Sequence, residues 1–104
     1  MWHVAILHNG LIFERNSIGK NICPFPFWEF KNEPSIIVTN VKIDRDLLYS
    51  QINYPIDCAT YVARVVGMDR ETLFTDQKNK NIYPIDILNW LISRGYRWKF
   101  SPTL

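Results

Sequence analysis

Residues 54–67 read Tyr-Pro-Ile-Asp-Cys-Ala-Thr-Tyr-Val-Ala-Arg-Val-Val-Gly, a sequence that marks both ends of a helix. Pro55 disfavours helix upstream, Asp57 is a good N-cap residue, and Gly67 is a typical C-terminal stop. The pattern therefore predicts a helix from Cys58 to about Val66.

Two interpretations of Cys58 follow from this position. The first helical turn has free backbone N–H groups and the positive end of the helix dipole, which favour a reactive thiolate. Alternatively, Cys58 shares a helical face with Val62, Val65 and Val66, so its sulfur can belong to a buried apolar stripe.

The composition predicts one folded domain, residues 1–104. Hydrophobic residues make up 47% of the sequence and aromatic residues 14%, enough for a core in a chain of this length. The formal charge of +2 comes without a cluster of lysines and arginines, which argues against nucleic acid as a partner.

Cysteine content and hydropathy favour a cytoplasmic protein. The chain opens with Met-Trp-His rather than a signal peptide, and no apolar run approaches the roughly 20 residues of a transmembrane helix. In a reducing compartment we expect Cys23 and Cys58 to be free thiols. The oligomeric state is not indicated by any pattern.

A β-hairpin is predicted near the start of the chain. Asn9-Gly10 separates two apolar runs, which is a strong hairpin signal. If His8 pairs with Leu11, His3 lies opposite a residue near Asn16. Glu14 then lies near Ala5, diagonal to His3 and on the same face, about 7–8 Å away and within reach of long side chains.

Residues 16–35 are predicted to be irregular. Asn16 to Lys20 resembles a turn, and Pro24 and Pro26 exclude a central strand, so residues 23–28 are interpreted as a stiff loop. Its aromatic side chains can either pack into the core or cover a cleft, and the core is favoured. They are Phe25, Phe27, Trp28 and Phe30.

The remaining segments predict helices between antiparallel strands. We expect a strand at 35–43, a short helix capped by Asp44, a polar surface loop at 69–80 and a final edge strand at 96–100. Pro84 begins a further helix, Ile85 to Arg94, that ends at Gly95. Its predicted buried face consists of Ile85, Leu88, Leu91 and Ile92. The fold class is therefore α+β, with a small antiparallel sheet packed against two to three helices.

Thiol catalysis needs a base beside the thiol and a polar group that orients the base. His8 flanks the hairpin turn, so His3 is the better candidate base, and Glu14 or Asn16 can orient it. A zinc site made from both histidines and both cysteines lacks the close paired spacing of structural sites. We predict neither a metal nor a cofactor, and no glycine-rich phosphate loop is found.

Several motifs in this order resemble one family. They are the opening His-Val-Ala-Ile, Asn9-Gly10, Phe13-Glu14, the Asp-Cys-Ala-Thr-Tyr-Val helix start and the later Tyr-Pro-Ile-Asp-Ile-Leu at residues 83–88. Together they resemble the circularly permuted papain-like cysteine hydrolases, which include permuted NlpC-like amidases and lecithin–retinol acyltransferase relatives. The resemblance covers most of the chain.

The resemblance implies a permuted papain-like core and a hydrolase or acyltransferase that works through a thioester. Cys58 matches the nucleophile, His3 the base and Glu14 the polar third member; the implied substrates are peptides, isopeptides or lipid acyl groups. Family members usually have a Gly-Asp strand before the histidine strand, where this chain has Met1 and Trp2. That departure favours the alternative, a non-catalytic adaptor or inhibitor that binds a protein through residues 25–30.

Overall fold

The computed structural model describes residues 3–32, 35–68 and 82–101, which form a small α+β domain. In chain order the elements are β1 (Ile6–His8), β2 (Leu11–Arg15), β3 (Lys20–Pro24), α1 (Phe25–Lys31), β4 (Ser35–Val38), α2 (Arg45–Gln51), α3 (Cys58–Val66), α4 (Pro84–Ser93) and β5 (Trp98–Ser101). The α+β class with antiparallel pairing is confirmed. The predicted number of helices, two to three, was too low, because α1 was not predicted.

The hairpin at the start of the chain has the predicted register. In the three-stranded sheet β1-β2-β3, His8 pairs with Leu11 and Ile6 with Phe13. Asn9 and Gly10 have φ angles of 51° and 78°, the left-handed conformations that a tight two-residue hairpin turn needs. The strand β1 is short, and residues 3–5 precede it without strand pairing.

The prediction that residues 16–35 are irregular is wrong beyond the turn. Asn16 Oδ1 accepts hydrogen bonds from the backbone N–H groups of Ile18 and Gly19, which confirms a turn there. Beyond it, residues 20–24 form the edge strand β3 and residues 25–31 form α1. Proline is tolerated at an edge and in the first helical turn, so Pro24 ends the strand and Pro26 helps begin the helix.

The aromatic side chains of α1 do not join the core. No residue of α1 is buried, and Phe27 and Phe30 are 68% and 82% exposed. The prediction that these side chains pack into the core is therefore wrong. Trp28 and Phe25 are half-buried, and Trp28 lines a cavity described below.

The second sheet pairs β4 with β5 in antiparallel register, with Ile37 opposite Lys99. The predicted strand 35–43 is too long at its C-terminal end, because β4 stops at Val38 and Asn40 turns the chain with a φ of 60°. The final strand was predicted to begin at residue 96, but β5 begins at Trp98.

The helix α2 begins after its predicted cap, and α3 begins and ends at the predicted residues. Asp44 Oδ1 accepts from the N–H of Leu47 at 3.1 Å, and Asp57 Oδ1 accepts from the N–H of Thr60 at 2.7 Å. Gly67 ends α3 with a φ of 87°. Tyr61 Oη donates to the Leu48 carbonyl at 2.7 Å in the centre of the core.

The helix α4 also forms as predicted, but its buried face differs. Ile87 and Leu91 are buried, whereas Ile85 and Ile92 are 39% and 42% exposed. The apolar side chains of α4 lie on more than one side of the helix, so their 3.6-residue spacing does not identify the face that is buried. The predicted loop at 69–80 lies outside the described residues. Within those residues, no helix is long and apolar enough to cross a membrane.

Candidate functional site

Cys58 is the first residue of α3 and follows its N-cap, Asp57. Its side chain is partly exposed and its thiol is free, whereas Val62 and Val65, further along the same face, are buried. The sulfur thus lies at the outer end of the apolar stripe rather than inside the core. This position places the thiol in the first turn of the helix, close to the positive end of the helix dipole.

His3 and Glu14 form a hydrogen-bonded pair. His3 Nε2 lies 3.0 Å from Glu14 Oε1, which confirms the predicted diagonal contact across the hairpin. A carboxylate in this position fixes the orientation of the ring. The pair therefore has the chemistry of a base and its orienting group.

The carboxylate of Glu14 has a second partner. Asn21 Nδ2 donates to Glu14 Oε2 at 3.3 Å and lies 3.6 Å from Cys23 Sγ. Asn21 is opposite Glu14 in the β2–β3 register, and Cys23 is opposite Ile12. A polar chain thus runs from His3 through Glu14 and Asn21 to Cys23 along one face of the sheet.

The structure brings His3 to Glu14 but not to Cys58. Within the described part of the chain, no hydrogen bond joins Cys58 to His3 or Glu14. Phe13 packs in the core with α3, and the buried Arg15 donates from Nη1 to the Ile52 carbonyl at 3.0 Å, so this face of β2 meets the helices. Side chains alternate along a strand, which places Glu14 on the other face.

A cavity of about 440 Å³ lies beside His3. Its walls come from residues 3–5, α1, β4, α4 and Phe100 of β5. His3 lines this space and Cys58 does not. An open space therefore adjoins the imidazole, on the part of the fold where α1 and α4 approach β4.

Asn21 and Ser35 were not predicted to belong to this region. Cys23 was considered only as a free thiol or zinc ligand, and Trp28 only as an aromatic side chain that packs into the core or covers a cleft. The sequence from Lys20 to Cys23 follows the turn at Asn16 and is compatible with a short edge strand, which would have placed Asn21 and Cys23 next to β2. Two prolines masked that signal. Trp28 and Ser35 both line the cavity, and no local sequence pattern predicts that arrangement.

A metal site was not predicted, and His8, a zinc ligand that was considered and rejected, has a local partner. His8 Nε2 lies 3.2 Å from Asn9 Nδ2 at the hairpin turn. Among the described residues, no three histidine, cysteine or acidic side chains are grouped as a metal site would require.

Comparison of the chain with protein-family models, with curated proteins and with solved structures found no match in any of the three.

Proposed function

We propose that this protein is a thiol hydrolase or acyltransferase with a permuted papain-like core, acting on an amide or ester bond. Cys58 is the nucleophile, His3 the base and Glu14 the group that orients the imidazole. The observation that carries the proposal is the 3.0 Å hydrogen bond between His3 and Glu14. Peptides, isopeptides and lipid acyl groups are the substrate classes that this chemistry serves.

The reaction would proceed through a thioester. His3 takes the proton of Cys58, and the thiolate attacks the carbonyl carbon of the substrate. The tetrahedral oxyanion collapses, the amine or alcohol leaves with the proton from His3, and the acyl group stays on sulfur. Water or another acceptor nucleophile then gives up a proton to His3, attacks the thioester and restores the thiol.

Backbone N–H groups in the first turn of α3 are suited to hold the oxyanion next to Cys58. The side chain of the N-cap Asp57 accepts from the N–H of Thr60, and its backbone carbonyl accepts from the N–H of Tyr61. The N–H groups of Cys58 and Ala59 have no acceptor within the helix, because no helical turn precedes them. This supports Cys58 rather than Cys23, which lies on a strand, as the acylated residue.

The proposal requires proton transfer between Cys58 and His3, directly or through one water. Catalytic hydrogen bonds are often long or poorly aligned before substrate binds. His3 precedes β1 and is exposed, so it lies on a segment that strand pairing does not hold in place. We propose that substrate binding completes the Cys–His contact.

Acylation by 4-nitrophenyl acetate tests the proposal. We expect release of 4-nitrophenolate together with an acetyl group on Cys58, identified by mass spectrometry of the peptides. Cys58→Ala should abolish that adduct, His3→Ala should slow its formation, and Cys23→Ala is the matched control that should leave it unchanged. Absence of the adduct, or equal labelling of both cysteines, would contradict the proposal.

A second candidate function is a non-catalytic adaptor or inhibitor that binds a protein through α1. The observation in its favour is the exposure of Phe27 and Phe30 on consecutive turns of this helix. Aromatic side chains are enriched in protein interfaces. If acylation of Cys58 fails while the protein is folded, this function becomes the better one.

A further inference from the structure

Arg15, at the end of β2, is a buried cation without a carboxylate partner. The residue is 8% exposed, and among the described residues it forms no ion pair. Its Nη1 donates to the Ile52 carbonyl at 3.0 Å, while its Nε is buried and has no acceptor in this part of the chain. Burial of an uncompensated charge lowers stability, and buried arginines are normally paired. A contribution to stability therefore does not explain this residue.

The carbonyl that Arg15 binds lies at the start of the linker between α2 and α3. Ile52 is the C-cap of α2, and residues 53–56 lead from it to the N-cap of α3. The backbone N–H groups of Tyr54 and Ile56 are both hydrogen-bonded to nearby carbonyls, which stiffens the linker. The direction of the Ile52 carbonyl is thus passed on to the first turn of α3.

The neighbour of Arg15 on β3 binds the same linker. Lys20 is opposite Arg15 in the β2–β3 register, and its Nζ donates to Asn53 Oδ1 at 2.6 Å. The next pair in this register is Glu14 with Asn21, which holds the imidazole of the proposed base. Successive residues of a strand face opposite sides of the sheet. Adjacent pairs therefore hold the base on one side and the linker to the nucleophile on the other.

We propose that Arg15, assisted by Lys20, is a positioning residue for Cys58. The inference rests on the proposed function, because it takes Cys58 as the nucleophile and His3 as its base. Arg15 fixes the Ile52 carbonyl, and the stiff linker then fixes the first turn of α3 against the hairpin. Neither cation contacts the reacting atoms. Their effect is geometric, and a misplacement of about 1 Å can lower a rate by about 10²-fold.

Hydrogen exchange of the linker tests the contact without any catalysis. Arg15→Met keeps the length of the side chain and removes its donors. We expect the N–H groups of Tyr54 and Ile56 to exchange about fivefold faster in this variant, and that of Val62, within α3, to be unchanged. The urea midpoint should not fall, because an apolar side chain replaces an uncompensated charge.

Acetylation of Cys58 by 4-nitrophenyl acetate tests the link to the site. We expect Arg15→Met to slow it by about tenfold, and Arg15→Lys, which keeps a charged donor, to recover most of the rate. Arg64→Met is the matched control, because Arg64 donates to the Gln51 side chain at 2.7 Å and not to the linker backbone. That variant should leave both the acetylation rate and the linker exchange unchanged.

Combining Arg15→Met with His3→Ala separates positioning from a merely structural role. If Arg15 acts by placing Cys58 against His3, the loss caused by Arg15→Met should disappear once the imidazole is absent. Equal losses in both backgrounds would overturn the inference. Lys20→Met, a surface change, should slow acetylation by about two- to threefold. It decides the matter if Arg15→Met folds poorly.

Failure of this inference and failure of the proposed function give different results. If the wild type is acetylated at Cys58, and both Arg15→Met and Lys20→Met keep its rate, the inference is wrong and the proposed function stands. If the wild type is not acetylated while linker exchange still responds to Arg15→Met, the proposed function fails and Arg15 holds the linker for structural reasons alone. Linker exchange that ignores both variants overturns the inference whatever the acetylation result.

Discussion

Glu14 Oε1 lies 3.0 Å from Nε2 of His3, a residue that precedes the paired part of its hairpin. The same carboxylate accepts from Asn21 on β3, so it is held from the opposite side. A carboxylate fixed in this way can orient an imidazole whose own backbone lies outside a strand. The proposed mechanism assigns this pair to the thiol of Cys58.

We expect Cys58 to react with iodoacetamide faster than Cys23 by about tenfold near neutral pH, because only Cys58 lies at a helix start. Both thiols are free and partly exposed, so access alone does not favour either one. Mass spectrometry of the alkylated peptides measures the two rates in the same sample. Equal rates, or faster labelling of Cys23, would instead point to the thiol beside Asn21.

Asp57 offers a sharper test of the helix start. Its carboxylate caps α3 but also places a negative charge next to Cys58. Asp57→Asn keeps a good N-cap and removes the charge, so alkylation of Cys58 should become about two- to fivefold faster. The melting temperature should change little. Asp57→Ala, the control for the cap, should lose about 1 kcal/mol of stability.

Cys58→Ala should leave the fold intact. The thiol is partly exposed at the outer end of α3, so its loss should cost about 1 kcal/mol or less. For a domain of this size 1 kcal/mol corresponds to roughly 4–8 °C in the melting temperature. A fall in the thermal midpoint of well over about 10 °C would mean that the sulfur packs in the core.

The helices α2 and α3 were predictable because local signals agree with the tertiary structure. Asp44 and Asp57 begin these helices through contacts within a few residues of the chain, Gly67 ends α3, and Asn9-Gly10 forces a tight turn. The face of α4 was not predictable in this way. Its exposed Ile85 and buried Ile87 are equally apolar, and only packing against α3 and the cavity distinguishes them.

The site was predictable only where strand register sets it. Counting back from the turn places Glu14 within reach of His3. The contact of Asn21 with Glu14 needs the strand β3, which was not predicted because of the two prolines. The cavity is lined by residues from both α1 and β4, an arrangement that no local pattern predicts. The relation of Cys58 to His3 depends on how α3 packs against β2, which no local pattern specifies.

Tyr61 gives a stability prediction with a defined pH dependence. Burial raises the pKa of its phenol above the ordinary value, so the folded protein holds this proton more tightly than the unfolded chain. The stabilisation is complete below the unfolded pKa of about 10, and it falls as the pH rises towards the folded value.

Near neutral pH, Tyr61→Phe should therefore cost about 0.5–1.5 kcal/mol, the loss of one hydrogen bond to the Leu48 carbonyl. Above pH 10 the unfolded wild type ionises, and its advantage should shrink by about 1.4 kcal/mol for each pH unit. Urea unfolding of both proteins at pH 7.5 and pH 11 gives the difference. If the difference in stability between wild type and Tyr61→Phe is the same at pH 7.5 and pH 11, the phenol ionises equally in the folded and unfolded states.

The last prediction asks whether His3 acts on Cys58. The rate of Cys58 alkylation, measured against pH, should rise in a step as the thiolate forms. If the His3 imidazolium stabilises that thiolate, His3→Ala should move the step to higher pH. Glu14→Gln should move it less and in the same direction, because it removes a charge that stabilises the imidazolium and leaves the ring in place.

His8→Ala is the matched control, since His8 lies at the hairpin turn beside Asn9 and should leave the step unchanged. The helix dipole alone also favours a thiolate, so the wild-type profile cannot identify the base. The comparison of the His3 and His8 variants identifies the base. Identical profiles for wild type and His3→Ala would remove His3 from the proposed mechanism, and the exposed aromatic residues of α1 would then favour the adaptor function.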